Sequence, residues 1–285
     1  MDAPASYPGA PTSSVPALND IVDLHCYPLL ERSGAAYRDL VAQGRALLEE
    51  TGAVTFPGFV RPDAVAAMAE QALALRPRMF RFREMHTVYF RPAQDTEAPS
   101  HPLRRLLETE KDTVAYADIP ESNLTRLLYR SDAVLAFVSD VLDQEQLYRH
   151  ADPLAALNLQ GFSAGQQLGW HFDRSDFSVT LAIQTPEGGG DFEYVRMLRR
   201  ADDECYDAVG RFLDDPATQK IQILPQVAGT LTMFRGRDSL HRVAPVTGPR
   251  LRINAVLAYV DQPNAQFSDY AQKLFYGRTA AAPVA

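Results

Sequence analysis

His171 and Asp173 stand two positions apart, and a second histidine, His241, follows 70 residues after the first. On a strand, residues i and i+2 project to the same face. A histidine from a distant strand then completes a 2-His-1-carboxylate facial triad, whose open positions suit non-haem Fe(II) and O₂. A His-x-Asp tripeptide alone is common by chance, so the reading depends on what surrounds it.

His241 lies in RGRDSLHRVAPVTGPRLRIN, where the strand TLTMFRG reaches a turn and the histidine opens the next strand, HRVAPV. The chain turns again at Gly248-Pro249 and returns with Arg250 and Arg252. This order suits a bidentate co-substrate such as 2-oxoglutarate, which chelates iron at one end. Its far carboxylate needs a cation deeper in the fold, and a planar guanidinium binds a carboxylate with two charge-assisted hydrogen bonds. Arg252, inside the strand RINAVLAYV, is the preferred partner, and Arg250, at the turn, is the alternative. Asn158 and Gln160 alternate on the strand ALNLQGF and are assigned to the co-substrate site. Asn254 shares a face with Arg252 and is a candidate substrate contact. Trp170, Arg174, Asp176 and His86 (in REMHTVYF) are further candidates for the substrate side.

The elements that must position these groups are of two kinds. Residues 1–18 are rich in Pro, Ala and Ser and read as a flexible tail. A helical N-terminal part follows over about 19–150. AAYRDLVAQGRALLEETG carries helical apolar spacing and ends at Gly52. AVTFPGF is a short strand, and Arg61-Pro62-Asp63 opens a helix with proline in its first turn. HTVYFRP reads as a strand, HPLRRLLETEK as a helix, and NLTRLLYRSDAVLAFVSDVLDQEQ as a strong helical pattern.

From residue 151 to about 262 short β-rich runs alternate with Gly, Pro and Asp: LAIQ, GDFEYV, KIQILPQ, GTLTMFRG, HRVAPV and RINAVLAYV. One helical insert, ADDECYDAVGRFLDD, interrupts them, and a closing helix is expected over about 266–278. Gly188–Gly190 lack a following Lys-Ser/Thr, so they read as a hairpin turn and not a phosphate loop. The predicted fold is mainly β with flanking helices: one domain over 19–285 built on an antiparallel barrel or jelly roll.

Composition narrows the function. The 285-residue chain is 46% hydrophobic and 22% charged, ordinary for a globular enzyme. Its formal net charge of −8 argues against a nucleic-acid binder. No apolar run approaches the roughly 18 residues that a membrane span requires. The N-terminus lacks a secretory pattern, and the two cysteines, Cys26 and Cys205, form no metal or disulfide motif. A cytoplasmic protein with reduced thiols, monomeric or homodimeric and acting on a small molecule, is the expectation.

The blocks GWHFDRSDFSVTLAIQTPEGGGDFEYV and GTLTMFRGRDSLHRVAPVTGPRLRINAVLAYV, with the closing LFYGRT, resemble the Fe(II)/2-oxoglutarate-dependent oxygenase superfamily. More narrowly they resemble the branch of free-amino-acid radical halogenases and related hydroxylases. The resemblance covers about residues 155–279. It implies a double-stranded β-helix, iron on His171, Asp173 and His241, 2-oxoglutarate on Arg252, and a free amino acid as substrate. In the halogenases of that branch glycine replaces the carboxylate ligand, which leaves a coordination place for chloride. Here the position is Asp173, so the resemblance implies hydroxylation. In the lysine-acting halogenases the next residue is acidic. Here it is Arg174, which leaves an acidic or neutral amino acid open beside a lysine-like one.

Other readings compete. A zinc hydrolase can use two histidines and a carboxylate, but it does not explain Arg252. Desaturation or cyclisation would keep the same cofactors, and a non-catalytic metal-binding jelly roll would keep only the fold. Asp173→Gly is predicted to abolish hydroxylation, assayed by mass spectrometry as loss of the product one oxygen heavier than substrate. A variant that hydroxylates at the parental rate would remove Asp173 from the ligand set.

Overall fold

In the segment Leu157–Phe162 the alternate residues Leu157 and Leu159 are fully buried against helices, while Asn158 and Gln160 face the other way and are half-buried. This period of two recurs in its neighbours and fixes which side of the sheet is apolar. The computed structural model describes residues 16–280. Most of the expected tail lies outside the described residues, and Leu18, its last member, opens a helix.

Along the chain, helices α1 (Leu18–Ile21) and α2 (Ala35–Thr51) precede strand β1 (Ala53–Phe56) and helix α3 (Pro62–Ala74). Strands β2 (Phe80–His86) and β3 (Leu107–Val114) lead to α4 (Leu124–Arg130) and α5 (Asp132–Val141). Next come β4 (Tyr148–Arg149), β5 (Leu157–Phe162), β6 (Leu168–His171), β7 (Ser178–Gln184), β8 (Gly188–Gly189) and β9 (Phe192–Val195). After α6 (Tyr206–Asp214) follow β10 (Gln222–Leu224), β11 (Leu231–Phe234), β12 (Leu240–Val243), β13 (Val246–Thr247), β14 (Arg252–Leu257), β15 (Tyr259–Val260) and α7 (Asp269–Tyr276).

The strands form a seven-stranded sheet, ordered β1-β11-β7-β14-β5-β3-β2, and a four-stranded sheet, ordered β10-β9-β12-β6. Pairing is antiparallel throughout, as a jelly roll requires. The outer face of the large sheet carries Val54, Phe56, Leu159, Val179, Leu181, Met233 and Ala255 into one core with residues of α2 to α5. Burying each large apolar side chain there contributes roughly 1.5–3 kcal/mol. The outer face of the small sheet packs on α6, where Trp170 meets Phe212 edge-on at 4.9 Å. The inner faces are left to the polar groups. No helix among the described residues is long and apolar enough to cross a membrane.

The region expected to be helical over 19–150 contributes three strands to the large sheet, so the sheet begins well before residue 151. HPLRRLLETEK is not a helix: its second half is strand β3, paired with β2 from Phe80↔Thr113 to His86↔Leu107. Leu103, Leu106 and Leu107 imitate helical spacing, but Glu108, Glu110 and Asp112 alternate to one side, where Arg81 and Arg83 meet them across the pair. HTVYFRP is not a strand beyond His86. It turns at Thr87–Phe90, with Phe90 in the left-handed region at φ 50°. The long helical pattern at 123–146 is two helices, because Ser131 caps the second.

Asn158, expected at the co-substrate, is engaged elsewhere. Its amide donates to the Leu154 carbonyl at 3.0 Å and accepts the Tyr276 hydroxyl at 2.9 Å, which ties α7 to the sheet. Asn158→Ala should therefore lower unfolding stability by about 1–2 kcal/mol, seen in denaturant titration. The affinity for 2-oxoglutarate should stay unchanged. A large loss of that affinity with stability intact would return Asn158 to the binding site.

Candidate metal centre

His171 ends β6 and His241 lies within β12, and the two residues are direct partners in the antiparallel pair. Both side chains therefore leave the sheet on the same side, with ring centroids 4.0 Å apart. Asp173 follows the strand end and is anchored by its backbone N–H, which donates to the Gly236 carbonyl at 3.0 Å. Its Oδ1 lies 3.5 Å from Nε2 of each histidine. One ligand atom from each residue falls within 4.8 Å of the others. Facial ligands about 2.1 Å from a common ion stand roughly 3 Å apart, so only small shifts bring the set onto a metal.

The donors are prepared for this. His171 Nδ1–H donates to the Gly169 carbonyl at 2.8 Å, and His241 Nδ1–H donates to the Ser239 carbonyl at 2.9 Å. A carbonyl only accepts, so each Nδ1 carries the proton and each Nε2 presents its lone pair. Burial pulls His171 down to about 4, with the neighbouring His241 acting in the same direction, so the ring is neutral at physiological pH. Burial alone would raise the Asp173 carboxyl. The two imidazoles beside it, His241 foremost, more than reverse this and hold it well below the usual carboxylate range. Two neutral imidazoles and one carboxylate suit Fe(II).

Two further residues fix Asp173, and sequence reasoning missed both. Ser178 Oγ–H donates to Asp173 Oδ2 and leaves Oδ1 for the metal. Gly236 lies against the carboxylate: a Cβ there would fall 1.9 Å from Oδ2. Glycine is required at 236 by contact, because any side chain would occupy the space of the ligand.

The large sheet supplies the facing cation. Arg252 is buried on the inner face, with Nε–H donating to the Gly190 carbonyl at 3.0 Å. Its Nη1–H donates to Asn254 Oδ1 at 2.6 Å and its Nη2–H to Gln226 Oε1 at 3.1 Å. All three partners are neutral, so they aim the guanidinium without compensating its charge. Burial pulls it down to about 10, opposed by Asp191, and it stays charged at neutral pH. The glycine run has its use here. Gly190, at φ 68°, lets the backbone approach the arginine, and a Cβ there would meet Arg252 Cδ at 3.0 Å. Gly188–Gly189 form a small ribbon with Val246–Thr247.

The remaining expected site residues divide. Gln160 pairs with Asn254 and with Thr113, so all three share the inner face. His86 is buried and linked to the ligand strand: Gly169 N–H donates to Thr109 Oγ1, and the Thr109 hydroxyl donates to His86 Nε2 at 2.6 Å. Its ring lies 4.2 Å from that of Phe90, which in turn stands 4.8 Å from the His171 ring. Trp170 is not brought to the site. It faces outward from the small sheet, under the guanidinium of Arg242 at 4.8 Å. Asp176 is exposed and ion-paired with Arg237. Arg250 is exposed. Arg174 is exposed and donates to the Phe90 carbonyl at 3.3 Å. It lines a cavity of about 510 Å³ that reaches Asp173 and is also bounded by Tyr89, Arg199, Arg200, Glu204 and Arg237. A third missed residue is Lys111, hidden in the segment read as a helix. Its ammonium lies 5.8 Å over the Phe82 ring.

The sequence profile of a family described as Halogenase D matches residues 37–273. The chain belongs to the Halogenase D family. No curated protein matches it by sequence. Among solved structures, the fold is similar to that of a 2OG-Fe(II) oxygenase family oxidoreductase from Burkholderia pseudomallei. That pair has a TM-score of 0.50 and 15% identity, over 79% of this chain and 92% of the other. It is also similar to the epimerase SnoN in complex with Fe³⁺, alpha ketoglutarate and nogalamycin RO, with a TM-score of 0.55 and 16% identity over 79% and 84% of the two chains. AviO1 from Streptomyces viridochromogenes Tue57 gives a TM-score of 0.52 and 16% identity over 79% and 96%. These identities speak for the fold, and the jelly roll described above is the fold they share with this Halogenase D family member.

Gly236→Ala should weaken metal binding by about tenfold or more, since a displaced ligand costs at least as much as a lost outer contact. Titration with Co(II), followed by its visible absorption, measures this. Unchanged binding in a folded variant would mean that Asp173 can move aside without loss.

Proposed function

We propose that the protein is an Fe(II)- and 2-oxoglutarate-dependent dioxygenase that hydroxylates an unactivated C–H of a small polar substrate, most simply a free amino acid. The observation that carries this is a pairing across the fold. A triad of two imidazoles and a carboxylate on the small sheet faces a buried arginine on the large one, held by three neutral acceptors. Bound together there, iron and 2-oxoglutarate would activate O₂, placing one oxygen atom in the substrate and the other in succinate, with release of CO₂.

The chain's own residues account for what such a reaction asks of the protein. His171 and His241, held by their backbone acceptors, present fixed Nε2 donors, and Ser178 sets the rotation of Asp173. Arg252, aimed by Gly190, Asn254 and Gln226, receives the far carboxylate of 2-oxoglutarate. Phe90 and His86 close the site beside His171 and exclude water from that wall.

Hydroxylation is preferred to the halogenation in the family's name because Asp173 occupies the place that a halide would need. A zinc hydrolase gives no role to a cation buried across the pocket. Succinate release should depend on both Fe(II) and 2-oxoglutarate, and activity retained with Zn(II) in the absence of O₂ would falsify the oxygenase reading. Arg252→Ala should raise the KM for 2-oxoglutarate by about thirtyfold or more, the effect of about 2 kcal/mol or more from a lost buried ion pair. Arg250→Ala should leave that KM unchanged, and the reverse pattern would transfer the role to Arg250.

A further inference from the structure

The inner face of β3 carries Thr109, Lys111 and Thr113 in a row. Thr109 is committed to Gly169 and His86, as described above. The Thr113 hydroxyl is fully buried and has no hydrogen-bond partner. Lys111 lies between these two. Its ammonium is close enough to His86 to depress that ring, and the one charge acting on the lysine itself is the Asp173 carboxylate. Lys111 shares this face with Thr109, whose hydroxyl joins the ligand strand to His86, and so stands on the side of the large sheet that faces the metal centre.

Burial pulls this ammonium down to about 8, with Asp173 as the opposing influence. A cation withdrawn from water without a counterion is costly. Yet the acids nearby are engaged elsewhere. Glu108, Glu110 and Asp112 leave β3 on its other face and meet Arg81 and Arg83. Glu193 is paired with Arg242 at 2.7 Å, one position out of phase with His241 and so on the outer face of the small sheet. Asp176 is held by Arg237.

Asp173 is the anion that acts on Lys111, and in the proposed function its charge belongs to the metal. The far carboxylate of 2-oxoglutarate belongs to Arg252, and its other end to the metal. Arg252 pairs with Phe162 on β5, and one step beyond the Asp112–Gly161 pair Lys111 stands on that residue's other side. The two cations thus arise two strand spacings apart, roughly 10 Å.

We infer that Lys111 binds the carboxylate of the primary substrate, as a specificity-determining residue of the same site; this rests on the oxygenase reading above. Thr113 and Gln160, paired across β3 and β5, offer neutral acceptors beside it for an N–H or O–H of the same molecule. Glu84, the carboxylate on that face of β2, is solvent-exposed and acts on neither Lys111 nor His86, so no buried acid beside them is left to hold a side-chain ammonium. The substrate class is accordingly a small carboxylic acid with a neutral or acidic side chain, and a lysine side chain would enter against the charges of Lys111 and Arg174.

The test is equilibrium binding to the anaerobic holoenzyme loaded with Fe(II) and 2-oxoglutarate, by calorimetry. The titrants are the proteinogenic L-amino acids and a set of small hydroxy and dicarboxylic acids. Each binder is compared with its carboxamide. In the native enzyme the carboxamide should bind about tenfold or more weakly. Lys111→Met should weaken the acid by a similar factor and abolish the preference for acid over amide, and Lys111→Arg should restore part of it. The affinity of the Lys111→Met enzyme for 2-oxoglutarate should stay within about twofold of native.

A tenfold loss of 2-oxoglutarate affinity, with the acid preference intact, assigns Lys111 to the co-substrate and overturns the inference. So does a Lys111→Met enzyme that binds and discriminates like the native one, or a panel in which no carboxylic acid binds at all. Binding confined to acids that are not amino acids keeps Lys111 and removes only the amino-acid reading. Absence of Fe(II)-dependent succinate release with any binder removes the oxygenase reading itself.

Discussion

His241 sits directly opposite His171 across β12 and β6, and the register of that one pair sets the rest of the site. Side chains on a strand alternate, so a slip of one residue would turn an imidazole to the outer face. There it would join Trp170 and Arg242, in a layer that packs on α6. The apolar outer layer thus holds the register, and the register holds the ligands. The same arrangement places Gly169 and Ser239 where their carbonyls fix both ring tautomers. The stability of the outer face and the chemistry of the inner one have a common origin in a period of two.

The second constraint is electrical. The small sheet contributes the anionic ligand and the large sheet the cations, and few carboxylates are left inside. The charges of the β3 edge are sorted by face: acids outward to the arginines of β2, Lys111 inward. Arg252 is steadied by three neutral acceptors and not by an acid. A salt bridge within the protein would have satisfied it and closed the place to an anionic ligand. The thread from Thr109 to Gly169 joins the two sheets at the ligand strand, so the site does not depend on either sheet alone.

Much of this was legible in the residues. The spacing of His171, Asp173 and His241 predicts ligands on one side of a strand pair, and the strand order after His241 predicts an inward arginine. Arg252 lies buried within β14 and Arg250 exposed at its turn, as the pattern RLRIN suggests. Trp170 also follows alternation, since a neighbour of a ligand on a strand must point away from it.

The edge of the large sheet was harder to read, because Leu103, Leu106 and Leu107 carry a helical spacing into a segment that is extended. The signal that could have decided it was charge: FRFRE and ETEKD alternate in step, as paired edge strands do. Lys111 was lost with that strand. Asn158 and Gln160 share a face but not a surrounding, because α7 arrives over Asn158 alone. Contacts across more than a hundred residues leave no local trace. Gly236 had none either, since its need arises only from where Asp173 folds to meet it.

That contact between positions 173 and 236 has an evolutionary consequence. The two share a single volume, so their histories are coupled in order as well as in outcome. A lineage carrying the carboxylate at 173 cannot enlarge 236 without displacing it. A lineage that first loses the carboxylate is released from that restriction. Once 236 has filled the space, restoring Asp173 by one substitution meets a steric barrier. The path between a carboxylate-bearing centre and one without it is therefore easier to travel in one direction, and the residue that sets the direction has no side chain of its own.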